Sequence, residues 1–484
     1  MKQSFLLFFL SICLSANAQP FRFIVAADGT GDYTTIQAAL DACPDNERSI
    51  VFVKSGTYYG QTYLGTKAVA SAKLISLIGE DRDRVILTYD KALPMVTKFE
   101  DATTFQIYAK DFYAENITFA NTAGVSAGQA LALYSAGDRA TFKNCYLRGF
   151  QDTYRSKKGT RAYLKDCKVE GTVDFIYAGG TVFFDDCELC CLQGGGYIAA
   201  PEDAYATVPK TSTVSQKFLR LGFIFRNCNI TANSDVSAGS YSLGRPWGIN
   251  AGAIYLNCRM GNHIKPAGWQ AWDGRETSAC FAEYNSMDTN GNPIDITNRA
   301  IWSFQLPRAD VDSFLTPMKV YATSYTTVYD PVTLCVSPNV PTNVKAVDKQ
   351  ISWDAVTGVA GYLVYKNNKF LAAVSETTYT DNSSESGTYS VISVATSGVL
   401  SAVSTALTEL HQISESQVNV AVLNGKVLFS EPVTYTVYSL NGTKVSASAN
   451  SADCVSTLDI PKGIYLLQIK DETFKEKRMK INLP

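Results

Sequence analysis

Five short segments of the chain carry one pattern: an aromatic or apolar residue, then Asn or Asp, Cys, any residue, and usually an apolar one. They are FKNCYL at Cys145, LKDCKV at Cys167, FDDCEL at Cys187, FRNCNI at Cys228 and LNCRM at Cys258. The cysteines are 22, 20, 41 and 30 residues apart. These steps correspond to one coil, one coil, two coils, and one coil with an insertion. A period of this length is the signature of stacked repeats. Short β-rich segments with turn residues between them make the stack an all-β fold, a right-handed parallel β-helix. The cysteines then line successive rungs as small apolar residues. One Cys per coil forms a line rather than a tetrahedron, so no metal site is expected.

The repeat gives meaning to a buried carboxylate. In VEGTVDFIYAGG (169–180), Asp174 interrupts an otherwise apolar strand, where a charge is costly unless paired or used. Asp174 lies seven residues after Cys167, and Asp152, in GFQDTYRSKKG, lies seven after Cys145. The two therefore occupy equivalent places on adjacent coils, about 4.8 Å apart. Gln129 and Gln151 are also one coil apart, at 22 residues. Stacked carboxylates raise one pKa and divide two identical groups into an acid and a base or nucleophile. Spacing alone leaves a structural Asp ladder as the alternative. Gln151 and Asp152 are neighbours that a regular strand would point in opposite directions, so the chain must bend there for both to serve one site.

Composition narrows the partners. A charged fraction of 18%, a hydrophobic fraction of 46% and a net charge of −2 describe a globular chain, neither disordered nor membrane-embedded. No basic patch or motif points to nucleic acid. The start, MKQSFLLFFLSICLSANAQ, has the form of a signal peptide cleaved after Ala18, and no later apolar run is long enough to span a bilayer. The expected destination is outside the inner membrane: periplasmic, cell-surface or secreted. Only two His occur, His263 and His411, and there is no G-x-S-x-G motif. Both Ser-His-Asp and zinc hydrolysis are thereby disfavoured.

From about residue 21 to 320 the chain resembles the pectin methylesterases. The matching blocks run in the family's order: VAADGTGDYTTIQAAL, AENITFANTAG, GQALAL, GFQDTY, GTVDFIYAGG, YSLGRPW and HIKPAGWQAW. The resemblance implies Asp174 as nucleophile on the methyl-ester carbonyl of homogalacturonan. Asp152 would be the acid/base, and Gln129 and Gln151 the oxyanion donors. Arg245 would pair with Asp174, and Trp247 would offer a face to a sugar ring. Tyr154, Phe150, Tyr177, Trp269 and Trp272 are softer candidates for substrate contact, with core packing the alternative for the two Trp. Many relatives have QDTLY where this chain has QDTYR, and GTVDFIFG where it has GTVDFIYAGG. No cofactor is implied, the partner is methyl-esterified pectin, and a monomer is expected. Calcium-dependent lyases and polygalacturonases share the fold, but their acidic blocks are missing from this sequence. Binding a polyanion calls for a positive strip, expected near Arg245 and Lys157-Lys158.

A Pro-containing segment, SPNVPTNVKAV, marks a boundary after the 19–335 β-helix. Residues 338–408 resemble a fibronectin type III β-sandwich and are expected to act as a spacer. Residues 412–484 carry an Asn441-Gly442 hairpin signal. They resemble the C-terminal sorting domains of type IX secretion cargo, which implies contact with secretion machinery; a small accessory sandwich is the alternative.

Overall fold

The computed structural model describes residues 21–483 except 209–218, 348, 386, 405–406, 409–417, 424–425, 449, 457–459 and 473–474. The signal peptide (1–18), His411 and the expected boundary between 408 and 412 lie outside the described residues. Contacts divide the chain into two compact units. One holds residues up to 344 with 353–379 and 389–406; the other holds 345–352, 380–388 and 407–484.

The first unit is a parallel β-helix built from sheets of 11, 9 and 7 strands. Each sheet takes about one strand per coil, so partners differ by one repeat: Tyr146 pairs with Lys168, which pairs with Glu188. The Asn or Asp before each repeat Cys is a left-handed corner, with φ of 47° at Asn144, 55° at Asp166, 53° at Asp186, 54° at Asn227 and 53° at Asn257. Asn and Asp tolerate this conformation better than other residues with a Cβ. The same corner occurs at Asn116 and Asn285, where Ile117 and Ser286 replace Cys. The repeat therefore extends one coil beyond the cysteines at each end. At every cysteine of the stack the free thiol donates to a carbonyl of the preceding coil, as from Cys167 to Phe142 (3.5 Å) and Cys187 to Leu164 (3.4 Å). Burial pushes the thiols of Cys167, Cys187 and Cys228 well up.

Inside, aromatic rings stack along the axis: Phe184 on Phe225 at 4.7 Å and Phe225 on Tyr255 at 4.3 Å. The helix Ile36–Ala42, capped by Thr35, buries Ile36, Ala39 and Leu40 against the core at the N-terminal end. Without that cover the first coil would expose its apolar interior.

The outer face of the 11-stranded sheet is covered in two places. Tyr163, Phe183, Ile224 and Ile254 pack against Leu315, Val320, Tyr321 and Tyr329 of the segment that follows the coils. Ile50, Phe52, Ile78 and Tyr113 share a core with Leu363, Tyr365, Val394 and Leu400. Those last residues belong to antiparallel strands and a turn in the region expected to be a spacer. Glu115 clasps the same segment by accepting from the Leu400 N–H at 3.1 Å. A spacer on a free linker would leave this apolar face bare, so the segment acts here as a cover.

The second unit contains antiparallel strands at Lys426–Ser439, Gly463–Lys470 and Glu476–Leu483 around Val427, Val437, Leu467 and Ile469. Asn441-Gly442 turns a hairpin in which Tyr438 faces Lys444 and Gly442 has φ 85°. Among the described residues no helix is long and apolar enough to cross a membrane.

Candidate active site

Asp152 and Asp174 both leave the strand conformation, with φ of 65° and 49°. Asp152 precedes the strand Tyr154–Ser156 of the seven-stranded sheet. Its left-handed backbone is the bend needed to bring Gln151 and Asp152 to one face. Asp174 sits in a bulge, because pairing jumps from Val173 opposite Tyr197 to Ile176 opposite Ala199. A bulge re-aims a side chain that regular alternation would misdirect. Gly171 makes room for the bulge: a Cβ there would lie 2.2 Å from the Cβ of Phe175. The GTVDF motif thus states a packing requirement.

These turns open a cleft of about 440 Å³ lined by Gln129, Gln151, Asp152, Asp174, Arg245, Trp247 and Tyr177, with Phe99, Arg155, Ala200 and Trp272. Both carboxylates are nearly buried, Asp152 at 7% and Asp174 at 8% exposure. Arg245 grips Asp174 with two parallel bonds, Nε to Oδ1 at 2.9 Å and Nη2 to Oδ2 at 2.6 Å. Its guanidinium lies between two rings, 3.9 Å from Tyr197 and 4.0 Å from Trp272. That sandwich and the fork geometry fix the plane of the Asp174 carboxylate.

The two acids differ electrostatically. Burial raises Asp174 above the usual carboxylate range, opposed by the hydrogen bonds and charge of Arg245. Burial and then the charge of Asp174 push Asp152 well above it, against weaker pulls from Arg155 and Arg245. Asp152 is therefore the member of the pair that keeps its proton longer as pH rises.

Gln129 and Gln151 are half-buried on adjacent coils, linked by the bond from the Ala130 N–H to the Gln151 carbonyl at 3.2 Å. Trp247 is 39% exposed with its ring 6.1 Å from that of Tyr177.

Three candidates fall elsewhere. Tyr154 is fully buried and packs edge-on against Phe184, pointing into the coil because it lies two residues past the Asp152 bend. Trp269 is 3% exposed, packs on Tyr255 and Phe281, and donates Nε1 to Glu283 at 3.2 Å. Phe150 is half-buried and lies outside the cleft lining. Neither Lys157 nor Lys158 lines the cleft, and Lys158 pairs with Asp203 at 3.6 Å. The cations of the cleft are Arg155 and Arg245.

Arg155 and Phe99 were not expected. The repeat could have placed Arg155, since it is 22 residues before Tyr177 and pairs with it in register, with Tyr134 on the other side. Phe99 comes from a short 3₁₀ turn, Phe99–Ala102, outside the repeat, and its place depends on folding.

The Pectinesterase family model matches residues 22–317. Pectinesterase 4 of Arabidopsis thaliana is 31% identical over 304 residues, covering 60% of this chain and 49% of the relative. A pectinesterase/pectinesterase inhibitor of Prunus persica is 33% identical over 269 residues, covering 54% and 49%. The chain thus spans about half the length of the curated relatives it matches. Among solved structures, pectin methylesterase from carrot superposes with a TM-score of 0.55 at 26% identity, covering 62% of this chain and 93% of that one. An aspartate-to-alanine mutant of a pectin methylesterase in complex with a hexasaccharide superposes with a TM-score of 0.50 at 25% identity, covering 64% and 99%. With its β-helix matched from end to end by that model, the chain belongs to the pectinesterase family.

Proposed function

We propose that this protein is an exported pectin methylesterase that hydrolyses the methyl esters of homogalacturonan to methanol and demethylated pectin, in pectin degradation. The observation that carries the proposal is the pairing in one cleft of a well-oriented carboxylate, Asp174 gripped by Arg245, with the Asp152 carboxyl of the preceding coil, which burial and the Asp174 charge push towards its protonated form. An Oδ of Asp174 attacks the ester carbonyl carbon while the amides of Gln129 and Gln151 donate to the oxyanion. Donors of this kind are worth about 3 kcal/mol each in the transition state. The C–OCH3 bond then breaks, Asp152 gives its proton to the departing oxygen, and methanol leaves. Asp152, now a carboxylate, takes a proton from water as that water attacks the acyl group. The bond to Asp174 breaks, the galacturonic acid ionises into solvent, and both side chains return to their starting states. Trp247 offers its exposed face to a sugar ring.

The wider organisation belongs to the same proposal. The signal peptide directs export, and the β-helix of 19–335 works as a monomer. The fibronectin-like 338–408 region is its companion, and 412–484 serves as a sorting domain read by secretion machinery. The hairpin and antiparallel strands of the second unit support the last reading.

Methanol release from highly methylated pectin tests the activity, beside an Asp174→Asn control and an absorbance assay for unsaturated sugars. Methanol from the native protein alone, with flat absorbance, is expected. A rise in absorbance, or methanol from the Asn variant at the native rate, would overturn the reading.

A further inference from the structure

The cleft holds two guanidinium groups, and only one is engaged. Arg245 spends two donors on Asp174. Arg155 makes no ion pair and no side-chain hydrogen bond among the described residues, and its Nε is buried without a partner. It is nonetheless held firmly. Its guanidinium carbon lies 4.8 Å from the centroid of Phe99, 4.6 Å from Tyr134 and 5.9 Å from Tyr177. An aromatic box of this kind fixes a cation while leaving its in-plane donors unspent. Tyr134 and Tyr177 are its register partners on the coils before and after, so the repeat builds two walls of the box and the Phe99–Ala102 turn adds the third. Asp174 already has its cation in Arg245, and Arg155 makes no ion pair with it. A planar cation that is half-buried, oriented and short of acceptors matches a planar anion.

We propose that Arg155 is a specificity-determining residue that binds the ionised carboxylate of a galacturonate unit lying beside the methyl-esterified unit at Asp174. The inference rests on the esterase reading and deepens it. A methyl ester offers no charge to Arg155, whereas a neighbouring unit already demethylated offers a carboxylate to its fork. The enzyme then favours esters next to free acids over esters in fully methylated runs.

The test compares kcat/KM for native protein, Arg155→Gln and Arg155→Lys on two pectins, one nearly fully methyl-esterified and one partly demethylated. For Arg155→Gln the loss should be about tenfold greater on the partly demethylated pectin, carried by KM, as expected for one charged hydrogen-bonded pair. Arg155→Lys keeps the charge without the fork and should lose less. Added salt should erode the preference of the native protein. Equal losses on both pectins would overturn the proposal. So would a shift of the acid limb of the kcat profile on both, which would mean that Arg155 acts through Asp152. Binding of fully demethylated oligogalacturonate, measured by calorimetry, separates this proposal from the esterase reading. If no pectin yields methanol, weaker binding by Arg155→Gln still supports the carboxylate site, and equal binding by both proteins sinks it.

Discussion

Two aspartates one coil apart are chemically identical, and the surroundings make them different. Asp174 has Arg245 on both oxygens; Asp152 has burial and the charge of its neighbour. A carboxyl raised in the folded state favours the native protein fully below its unfolded pKa near 4, and that contribution is lost as pH rises through the folded value. Asp152→Asn should therefore fold more stably than the native protein at neutral pH, by on the order of 1 kcal/mol, while losing methanol release. The gap should close on acidification towards pH 4. Denaturant titrations at pH 4 and pH 7 check the sign, and a variant less stable at pH 7 would mean that the Asp152 charge is satisfied. Spacing alone brought Asp152, Asp174, Gln129 and Gln151 to one cleft, because equivalent positions on coils cannot separate. Trp269 takes the core-packing alternative, whereas Tyr154 faces inward because facing depends on parity. One left-handed residue at Asp152 resets which of the following side chains point inward, and no local propensity announces it.

The element that repeats is the corner more than the strand. Asn144 has φ 47° and donates Nδ2 to the Oδ1 of Asn116 at 2.8 Å, and Asn257 and Asn285 repeat the contact at the other end with 2.9 Å. Asn144→Ala should cost about 1–2 kcal/mol from the left-handed backbone alone, and more with the two lost hydrogen bonds, to Asn116 and from Arg82. Asn144→Gly relieves the backbone and keeps only the second penalty. A urea series in which Ala and Gly cost the same would show that the corner carries no conformational strain. The coil period was visible because Cys is rare enough to stand out. Coils that place Ile117 or Ser286 at the same corner carry no sulfur to mark the period, and only their Asn shows it.

At the scale of the whole chain, a parallel β-helix must cover the outer faces of its sheets or keep them polar. Here the seven-stranded sheet keeps its outer face for the cleft, and the 11-stranded sheet is covered by later parts of the chain. The sequence boundary near 338 marked a change of composition but could not reveal that Leu363, Val394 and Leu400 would close over Ile50, Phe52 and Ile78. Alternation in a strand shows that one face is apolar, not which surface it meets. Removing 338–484 should expose that face and strip Glu115 of the Leu400 N–H. Each fully uncovered aliphatic or aromatic side chain forfeits about 1.5–3 kcal/mol, so the shortened protein should unfold at lower temperature and bind an apolar dye while still native. Removing 412–484 alone should change neither the dye signal nor methanol release, since Phe52 rests at 4.8 Å on the ring of Phe370, which that shorter deletion keeps. If both deletions leave the melting temperature where it was, residues 338–408 are a spacer after all. If only the longer one lowers it, the cover is part of the β-helix's own fold.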